Sequence, residues 1–379
     1  MTRTSLAESA LDPERQDKAR EYDWLSRRLL FLDLGTAFFF LLAVLFTGAS
    51  AALAYWLSFP LPWAAALYLL ILVVGYGVIM GPVSYYEDFV LPRRYGLSNQ
   101  NLSGWLRDRA RALALGLLLC LSLVTVIYWL MDLLPSLWWL ATGLIVFLVS
   151  LLLTWLTPTV LVPLFFKLKP LEDGELKERL ANLAKAAGID INRVLVMNLS
   201  SKSTTANALV AGWGGSRRII LSDTLLRGYS VDEIEVTLAH ELGHHLHHDF
   251  AKLMSIHALA LLLAFYCADV ALRAGVVWLS FKGMSDLAAL PWLILILAML
   301  ILFLQPLLNW YNRRTEFEAD RAALELSNNP QAFVSLMTKL TDQNLQQAEP
   351  GHWAKLLFHD HPSYRERVIL ARDFEQKSS

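Results

Sequence analysis

The chain has 379 residues, of which 55% are hydrophobic and 18% are charged. Soluble domains carry about 25% charged residues, so this composition argues against a soluble domain and indicates a membrane protein. The formal net charge of −1 gives no case for a nucleic-acid partner, and two cysteines cannot form a disulfide framework.

Six apolar runs approach or exceed the roughly 20 residues that a helix needs to cross a bilayer. Tryptophans fall near the ends of these runs, where an interfacial aromatic belt places them. The sequence therefore predicts a mainly α-helical, multi-pass membrane protein with about six transmembrane helices in the lipid bilayer. The runs cover residues 29–56, 62–84, 112–131, 137–162, 253–275 and 290–310.

Arginines and lysines alternate between the two sides of these runs. They precede the first run, lie between the second and third, and follow the fourth and the sixth, whereas the other connections carry almost none. Positive residues stay on the cytoplasmic side of membranes. We therefore expect both termini and residues 165–250 to face the cytoplasm.

The polar stretch between the fourth and fifth runs has the residue pattern of a folded α+β region. Residues 175–187 have the period of an amphipathic helix, and short β-forming segments follow at 193–197, 206–212 and 217–221. Ser230 and Glu233 form a capping box, S-x-x-E, which begins a further helix.

That helix contains His240-Glu241-Leu242-Gly243-His244, which reads H-E-x-x-H. Histidines four residues apart share a helical face, so two neutral imidazoles can bind one Zn²⁺. Glu241 can take a proton from the water that the metal activates. The motif predicts a zinc-dependent hydrolase with one Zn²⁺ per chain, most simply a peptidase.

A catalytic zinc needs a third protein ligand. The metzincin pattern H-E-x-x-H-x-x-G-x-x-H fails, because His247 and Phe250 stand where its glycine and third histidine would be. His245, His247 and His248 are local alternatives, and His248 lies one further helical turn from His244. Three successive histidines on a straight helix are about 12 Å apart at their ends, however, which is too far to share one ion.

The favoured third ligand is a carboxylate on the helix that follows the sixth run. Glu316 and Asp320 are four residues apart and share a face there. Glu316 could bind the metal, and Asp320 could accept a hydrogen bond from the remote nitrogen of a ligand histidine.

With these motifs the sequence resembles the membrane-embedded M48 metallopeptidases, most of all the zinc-dependent CAAX prenyl proteases. The eukaryotic members have seven spans, whereas six are predicted here. The residues that carry the resemblance are 86–98, 207–212, 218–226, 240–244, 312–320 and 361–367.

The resemblance implies a cytoplasmic, zincin-like (gluzincin) catalytic domain that cleaves peptides or proteins near their C-terminus at the membrane, often prenylated ones. It also implies a role for each candidate residue. One role belongs to an edge strand at the site, which would align the substrate backbone, because extended peptides bind by adding a strand to an open sheet edge. The roles are zinc ligands for His240, His244 and Glu316, general base for Glu241, support of a ligand for Asp320, substrate alignment for Asn207 and Ala208, and contact with the oxyanion or the substrate carboxylate for His361 and Arg367.

On this interpretation the chain divides into five parts. They are a cytoplasmic N-terminal segment at 1–28, a four-span membrane domain at 29–162, a catalytic region at 163–252, two further spans at 253–310, and a cytoplasmic C-terminal region with the third ligand at 311–379.

Two alternatives remain open. An HtpX-like membrane quality-control protease of the same group shares the motif and the glutamate helix, but would be shorter and have fewer spans. A His-rich metal-binding or transport protein would explain five histidines within residues 240–248. Transporters, however, place ionisable ligands inside their spans, and the ionisable candidates there are Asp33, His257 and Asp269.

Overall fold

The structure is a computed structural model that describes residues 11–57, 59–212 and 217–378. Within these ranges the chain is mainly helical. The helices are α1 (Pro13–Phe46), α2 (Ala49–Trp56), α3 (Leu61–Tyr85), α4 (Leu91–Arg94), α5 (Leu102–Leu133), α6 (Trp138–Leu156), α7 (Val162–Phe165), α8 (Glu175–Ala186), α9 (Asp223–Gly228), α10 (Val231–Leu246), α11 (Asp249–Trp278), α12 (Leu290–Ser327), α13 (Pro330–Gln343), α14 (His352–Phe358) and α15 (Tyr364–Ser378). The strands are β1 (Leu168–Pro170), β2 (Arg193–Met197), β3 (Ala208–Ala211) and β4 (Arg218–Ser222).

Six helical segments in the described ranges are long and apolar enough to cross a membrane, which confirms the predicted number. The first predicted run is not one helix, because α1 ends at Phe46 and Gly48, at φ 79°, turns the chain into α2. α1 also begins before its apolar part, since Asp12 caps it. Residues 13–28 of the predicted N-terminal segment therefore lie on the first spanning helix, and residues 1–10 lie outside the described residues.

The spanning helices contact their neighbours in a ring, in the order α1, α3, α5, α6, α11, α12 and back to α1. At the end of the ring remote from the catalytic motif, one apolar cluster joins all six helices. The ring is therefore tied together at that end, while its other end leads to the catalytic region. The cluster includes Leu41, Tyr68, Tyr128, Trp138, Phe265 and Leu293, one from each helix.

Between the fourth and fifth spans, residues 168–222 contain a four-stranded sheet in the order β1-β2-β4-β3. β2 and β4 are parallel, with Val194 beside Ile219, and the two outer pairings are antiparallel. β2, β3, β4 and α8 lie where the sequence predicts them, whereas β1 and α9 were not predicted. β3 is an edge strand of this sheet.

α10 begins at the predicted capping box. Ser230 Oγ accepts a hydrogen bond from the Glu233 N–H, and the Ser230 N–H donates to the Glu233 carboxylate. The apolar face of α10, with Ile234 and Leu238, belongs to one apolar core together with residues of α8, β4 and α13. The start and the rotation of the helix that carries the histidines are therefore both fixed.

Candidate active site

The metal-ligand candidates come from two helices that pack side by side. His240 and His244 project from one face of α10, and Glu316 projects towards them from α12, beyond the apolar part of that helix. His240 Nε2 lies 3.3 Å from Glu316 Oε2, and His244 Nε2 lies 3.4 Å from Glu316 Oε1. Within the described ranges these three residues are the one group of ligand-type side chains whose ligand atoms all lie within 4.8 Å of one another.

Each imidazole faces a second carboxylate through its other nitrogen. His244 Nδ1 donates to Asp249 Oδ2 at 3.0 Å. His240 Nδ1 lies 3.0 Å from Asp320 Oδ1, although this contact is not aligned as a hydrogen bond. An acceptor beside Nδ1 favours the tautomer with its proton on that atom. The Nε2 lone pairs of both rings therefore face the carboxylate of Glu316.

In their neutral form the two imidazoles would present nitrogen lone pairs to the Glu316 carboxylate, and such a set fits a bound cation. Glu316 Oε2 is buried and receives no hydrogen bond in the described structure. Burial by itself favours a neutral imidazole, but the carboxylates of Asp320 and Glu316 outweigh it and raise the pKa of His240 to about 10. The site thus stabilises positive charge, and two imidazoles with one carboxylate are a ligand set of catalytic zinc.

Glu241 lies between the two histidines and lines a cavity of about 400 Å³. Burial raises the pKa of its carboxyl above the ordinary value, because the charged form loses solvation. Its carboxylate is therefore more basic than that of a solvated glutamate, and it opens onto the space where a substrate would lie.

His361 reaches the same centre from the segment before α15. Its Nε2 lies 3.4 Å from Glu316 Oε2, and its Nδ1 donates to Asp360 Oδ1 at 2.7 Å. The hydrogen bond to Asp360 raises the pKa of His361. Its side chain is 57% exposed and lines the cavity, so this imidazole stands between the Glu316 carboxylate and the cavity.

Asn207 and Ala208 line the cavity at the edge strand β3. The Asn207 carbonyl accepts from the Ser222 N–H, inside the sheet. Backbone groups alternate in direction along a strand, so the N–H and C=O of Ala208 point away from β4. Among the described residues they have no hydrogen-bond partner, so they can pair with an extended peptide.

Arg367 is half-buried behind Glu316 and Asp320, with its guanidinium on the Asp320 carboxylate. Its Nε and Nη2 donate to the two oxygens of that carboxylate at 2.7 and 2.8 Å, and Nη2 lies 3.6 Å from Glu316 Oε2. The predicted substrate residue thus contacts the carboxylate beside His240, although it also borders the cavity.

Other residues at the site were not predicted from the sequence. Asp249, beside His244, belongs to no sequence motif, and only the turn after α10 brings it to this histidine. Tyr22, Asp23 and Ser26 of α1 line the cavity opposite the catalytic motif. No local pattern shows this, because α1 is more than 200 residues away in sequence.

The local alternatives for the third ligand are not part of the group. α10 ends at Leu246, His247 caps it, and His248 has φ 55°. The helix therefore does not continue straight to His248.

Two family models cover almost the whole chain. The one described as peptidase family M48 matches residues 170–374. The one described as CAAX prenyl protease N-terminal, five membrane helices, matches residues 4–167. The chain belongs to peptidase family M48. It is accordingly a metalloendopeptidase of the multi-pass membrane type.

Named relatives agree with this assignment. The chain is 27% identical to the uncharacterized metalloprotease YhfN of Bacillus subtilis, over 97% of this chain and 88% of that protein. It is 30% identical to the CAAX prenyl protease 1 homolog of Oryza sativa, over 78% of this chain and 70% of that protein. The crystal structure of S. mikatae Ste24p matches with a TM-score of 0.84 at 23% identity, over 96% of this chain and 90% of that one, which shows the same fold.

Proposed function

We propose that this M48 peptidase is a zinc endopeptidase that cleaves peptide bonds in membrane-associated proteins, including prenylated substrates of the CAAX type. The observation that carries the proposal is the convergence of His240, His244 and Glu316 beside Glu241 at a cavity of about 400 Å³. The relatives named CAAX prenyl proteases support the substrate class. The match of residues 4–167 to their N-terminal region favours this function over an HtpX-like one.

His240, His244 and Glu316 would hold one Zn²⁺, with Asp320 and Asp249 orienting the two imidazoles. When bound there, the metal would polarise the scissile carbonyl and acidify the attacking water. Arg367, which pairs with Asp320, would position that carboxylate and need not touch the substrate itself.

Glu241 would be the general base. Its carboxylate takes one proton from water as the water oxygen bonds to the scissile carbonyl carbon. It then gives that proton to the leaving nitrogen as the carbon–nitrogen bond breaks. The products are a carboxylic acid and an amine, which become a carboxylate and an ammonium group when the second water proton moves to the amine, and Glu241 returns to its starting state. The raised pKa of Glu241 favours its uptake of the proton in the first step.

His361 and Ala208 would bind the substrate on either side of this step. The His361 imidazole, held by Asp360, can donate through Nε2 to the oxygen that becomes negative in the transition state. The free backbone edge at Ala208 can pair with the substrate backbone, with Asn207 beside it. Together they would set the scissile bond in front of Glu241.

The catalytic region would have a zincin-like (gluzincin) arrangement, with the sheet and α10 on one side of the metal and α12 on the other. We place it in the cytoplasm with both termini, because the positive residues cluster on the corresponding side of the spans. The five-part division at 1–28, 29–162, 163–252, 253–310 and 311–379 is part of the same proposal.

The test compares a farnesylated C-a-a-X peptide with its non-prenylated twin, using purified protein with and without a zinc chelator. Chelator-sensitive cleavage of the lipidated peptide is expected. Glu241→Gln should retain zinc and lose activity by several orders of magnitude, whereas His240→Ala should lose both. Equal cleavage of the two peptides would remove the preference for prenylated substrates. A Glu241→Gln protein without zinc would contradict the assigned roles.

A further inference from the structure

His244 has a carboxylate partner that lies outside every motif of the chain. Asp249 Oδ2 accepts from His244 Nδ1 at 3.0 Å, and the Asp249 residue is only 1% exposed. Lys252 Nζ in turn lies 3.2 Å from Asp249 Oδ1. The imidazole, the carboxylate and the ammonium group therefore form a chain of contacts.

A similar chain of imidazole, carboxylate and cation lies at the other histidine, His240. There the imidazole of His240 faces Asp320, and Asp320 pairs with Arg367. The two sets of contacts come from different elements, one from α12 and α15 and the other from the start of α11. Each of the two candidate ligand histidines thus has its own buried aspartate and its own cation.

A break in the helix places Asp249 beside His244. α10 stops at Leu246, and His248 takes the left-handed conformation with φ 55°. The chain turns there, and Asp249 begins α11, where the N-terminal end of a helix favours negative charge. Without the turn a residue five positions after His244 would point to another face of the helix.

We propose that Asp249 is a positioning residue for His244, and that Lys252 holds its carboxylate in place. Asp249 keeps the His244 proton on Nδ1 and turns Nε2 towards Glu316. The proposal rests on the zinc site described above and adds to it a residue that the H-E-x-x-H motif does not contain.

The charge of Asp249 should matter as well as its shape. A carboxylate that accepts from a ligand imidazole makes the ligand nitrogen more basic, and loss of such a partner typically lowers metal affinity by about 10–100-fold. An asparagine keeps the size and one acceptor oxygen but removes the charge. Asp249→Asn therefore isolates the electrostatic effect.

The experiment measures zinc affinity of the full-length protein in detergent, by competition with a chelator, and the visible spectrum of the Co²⁺-substituted form. Asp249→Asn is expected to weaken zinc binding by about 10–100-fold and to change the Co²⁺ spectrum. The matched control is Asp269→Asn. Asp269 is on the same helix, is 5% exposed, and pairs with Trp138 and Arg273. The control should leave both measurements unchanged.

A second pair of variants separates Asp249 from its neighbours. His248→Gly keeps the left-handed turn, which glycine adopts without strain, and should bind zinc as tightly as the wild type. If His248→Gly lost zinc, this result would indicate that His248 itself contacts the metal, and it would overturn the proposal. Lys252→Gln changes a side chain that is 41% exposed, and it should weaken zinc binding by a smaller factor than Asp249→Asn.

The outcomes distinguish this proposal from the zinc assignment itself. A wild-type protein that binds no zinc would overturn both. Zinc binding by the wild type together with unchanged affinity and spectrum in Asp249→Asn would overturn the role of Asp249 alone. If Asp249→Asn fails to fold, Lys252→Gln provides the test. A wild-type zinc affinity and Co²⁺ spectrum in Lys252→Gln would then overturn the proposal.

Discussion

Gly243 of α10 lies directly against Ala319 of α12, with no space for a side chain between the two helices. A Cβ atom at Gly243 would be 3.1 Å from both Cα and the carbonyl oxygen of Ala319, and 2.9 Å from Cβ of Ala322. Ala319 sits between Glu316 and Asp320 on α12. This contact therefore sets the distance between the candidate metal ligands of the two helices.

We expect Gly243→Ala to separate α10 from α12. Overpacking of this kind costs about 1–3 kcal/mol, against the gain of about 1 kcal/mol that alanine brings to a helix. Zinc affinity should fall because Glu316 moves away from the histidines. Thermal unfolding and chelator competition measure the two effects. Gly116→Ala in α5 is the control, since a Cβ there meets nothing within 4 Å. Wild-type zinc affinity in Gly243→Ala would contradict the argument.

Arg367→Lys should destabilise the protein even though it keeps the positive charge. A lysine cannot make the two parallel hydrogen bonds that Arg367 donates to Asp320. Asp320 is fully buried, so loss of one hydrogen bond to this charged group should cost about 1.5–3 kcal/mol in Arg367→Lys, and removal of the charged partner in Arg367→Met should cost about 3–5 kcal/mol. We expect a lower unfolding temperature and weaker zinc binding, with Arg367→Met more severe.

The same variant tests the alternative role of Arg367 in substrate binding. A residue that binds only substrate would raise KM in Arg367→Lys and leave zinc affinity and the unfolding temperature unchanged. That pattern would contradict the positioning role.

Glu233 joins the start of α10 to α13. Its carboxylate is 2% exposed and accepts from the Ser230 N–H, the Ser335 hydroxyl and the Lys339 ammonium. Glu233→Gln should lower the stability of the catalytic region by about 2 kcal/mol, since hydrogen bonds to charged groups contribute about 1.5–3 kcal/mol. Glu349→Gln, whose side chain is 57% exposed, should change it by less than about 0.5 kcal/mol.

The effect of Glu233 should also depend on pH. Burial alone would raise the pKa of this carboxyl, but Lys339, Ser335 and the Ser230 N–H outweigh it and lower the pKa below its usual 4.5. A group with a lowered pKa in the folded state stabilises the protein above its unfolded pKa and loses that effect as pH falls. The stability difference between wild type and Glu233→Gln should therefore be full at pH 7 and shrink below about pH 4.5. A difference that stays constant into acid would contradict this.

Single cysteines can test the proposed orientation. In a chain with Cys120 and Cys267 replaced by alanine, Lys185→Cys on α8 and Lys282→Cys between α11 and α12 present exposed thiols on the two predicted sides. A membrane-impermeant maleimide added to intact cells should label Lys282→Cys at once and Lys185→Cys only after permeabilisation. The opposite pattern would invert the proposed topology.

Local patterns were enough to predict several features correctly. The six spans follow from the length of the apolar runs, because a bilayer of fixed thickness demands about 20 apolar residues per helix. α10 and its start follow from Ser230 and Glu233, because a capping box acts within one turn. The pairing of His240 with His244 follows from helical spacing, and the position of Glu316 after the sixth span made it a candidate ligand.

Only the tertiary structure decided which side chains meet from distant parts of the chain. It brings Glu316 between the two imidazoles, places Arg367 on Asp320, and adds Tyr22 of α1 to the cavity wall. These contacts depend on how helices pack, and the spacing of residues in sequence does not encode that. The turn at His248, which gives His244 its partner Asp249, is local but is not encoded by residue spacing either. A histidine adopts a left-handed conformation only where the surrounding packing holds it there.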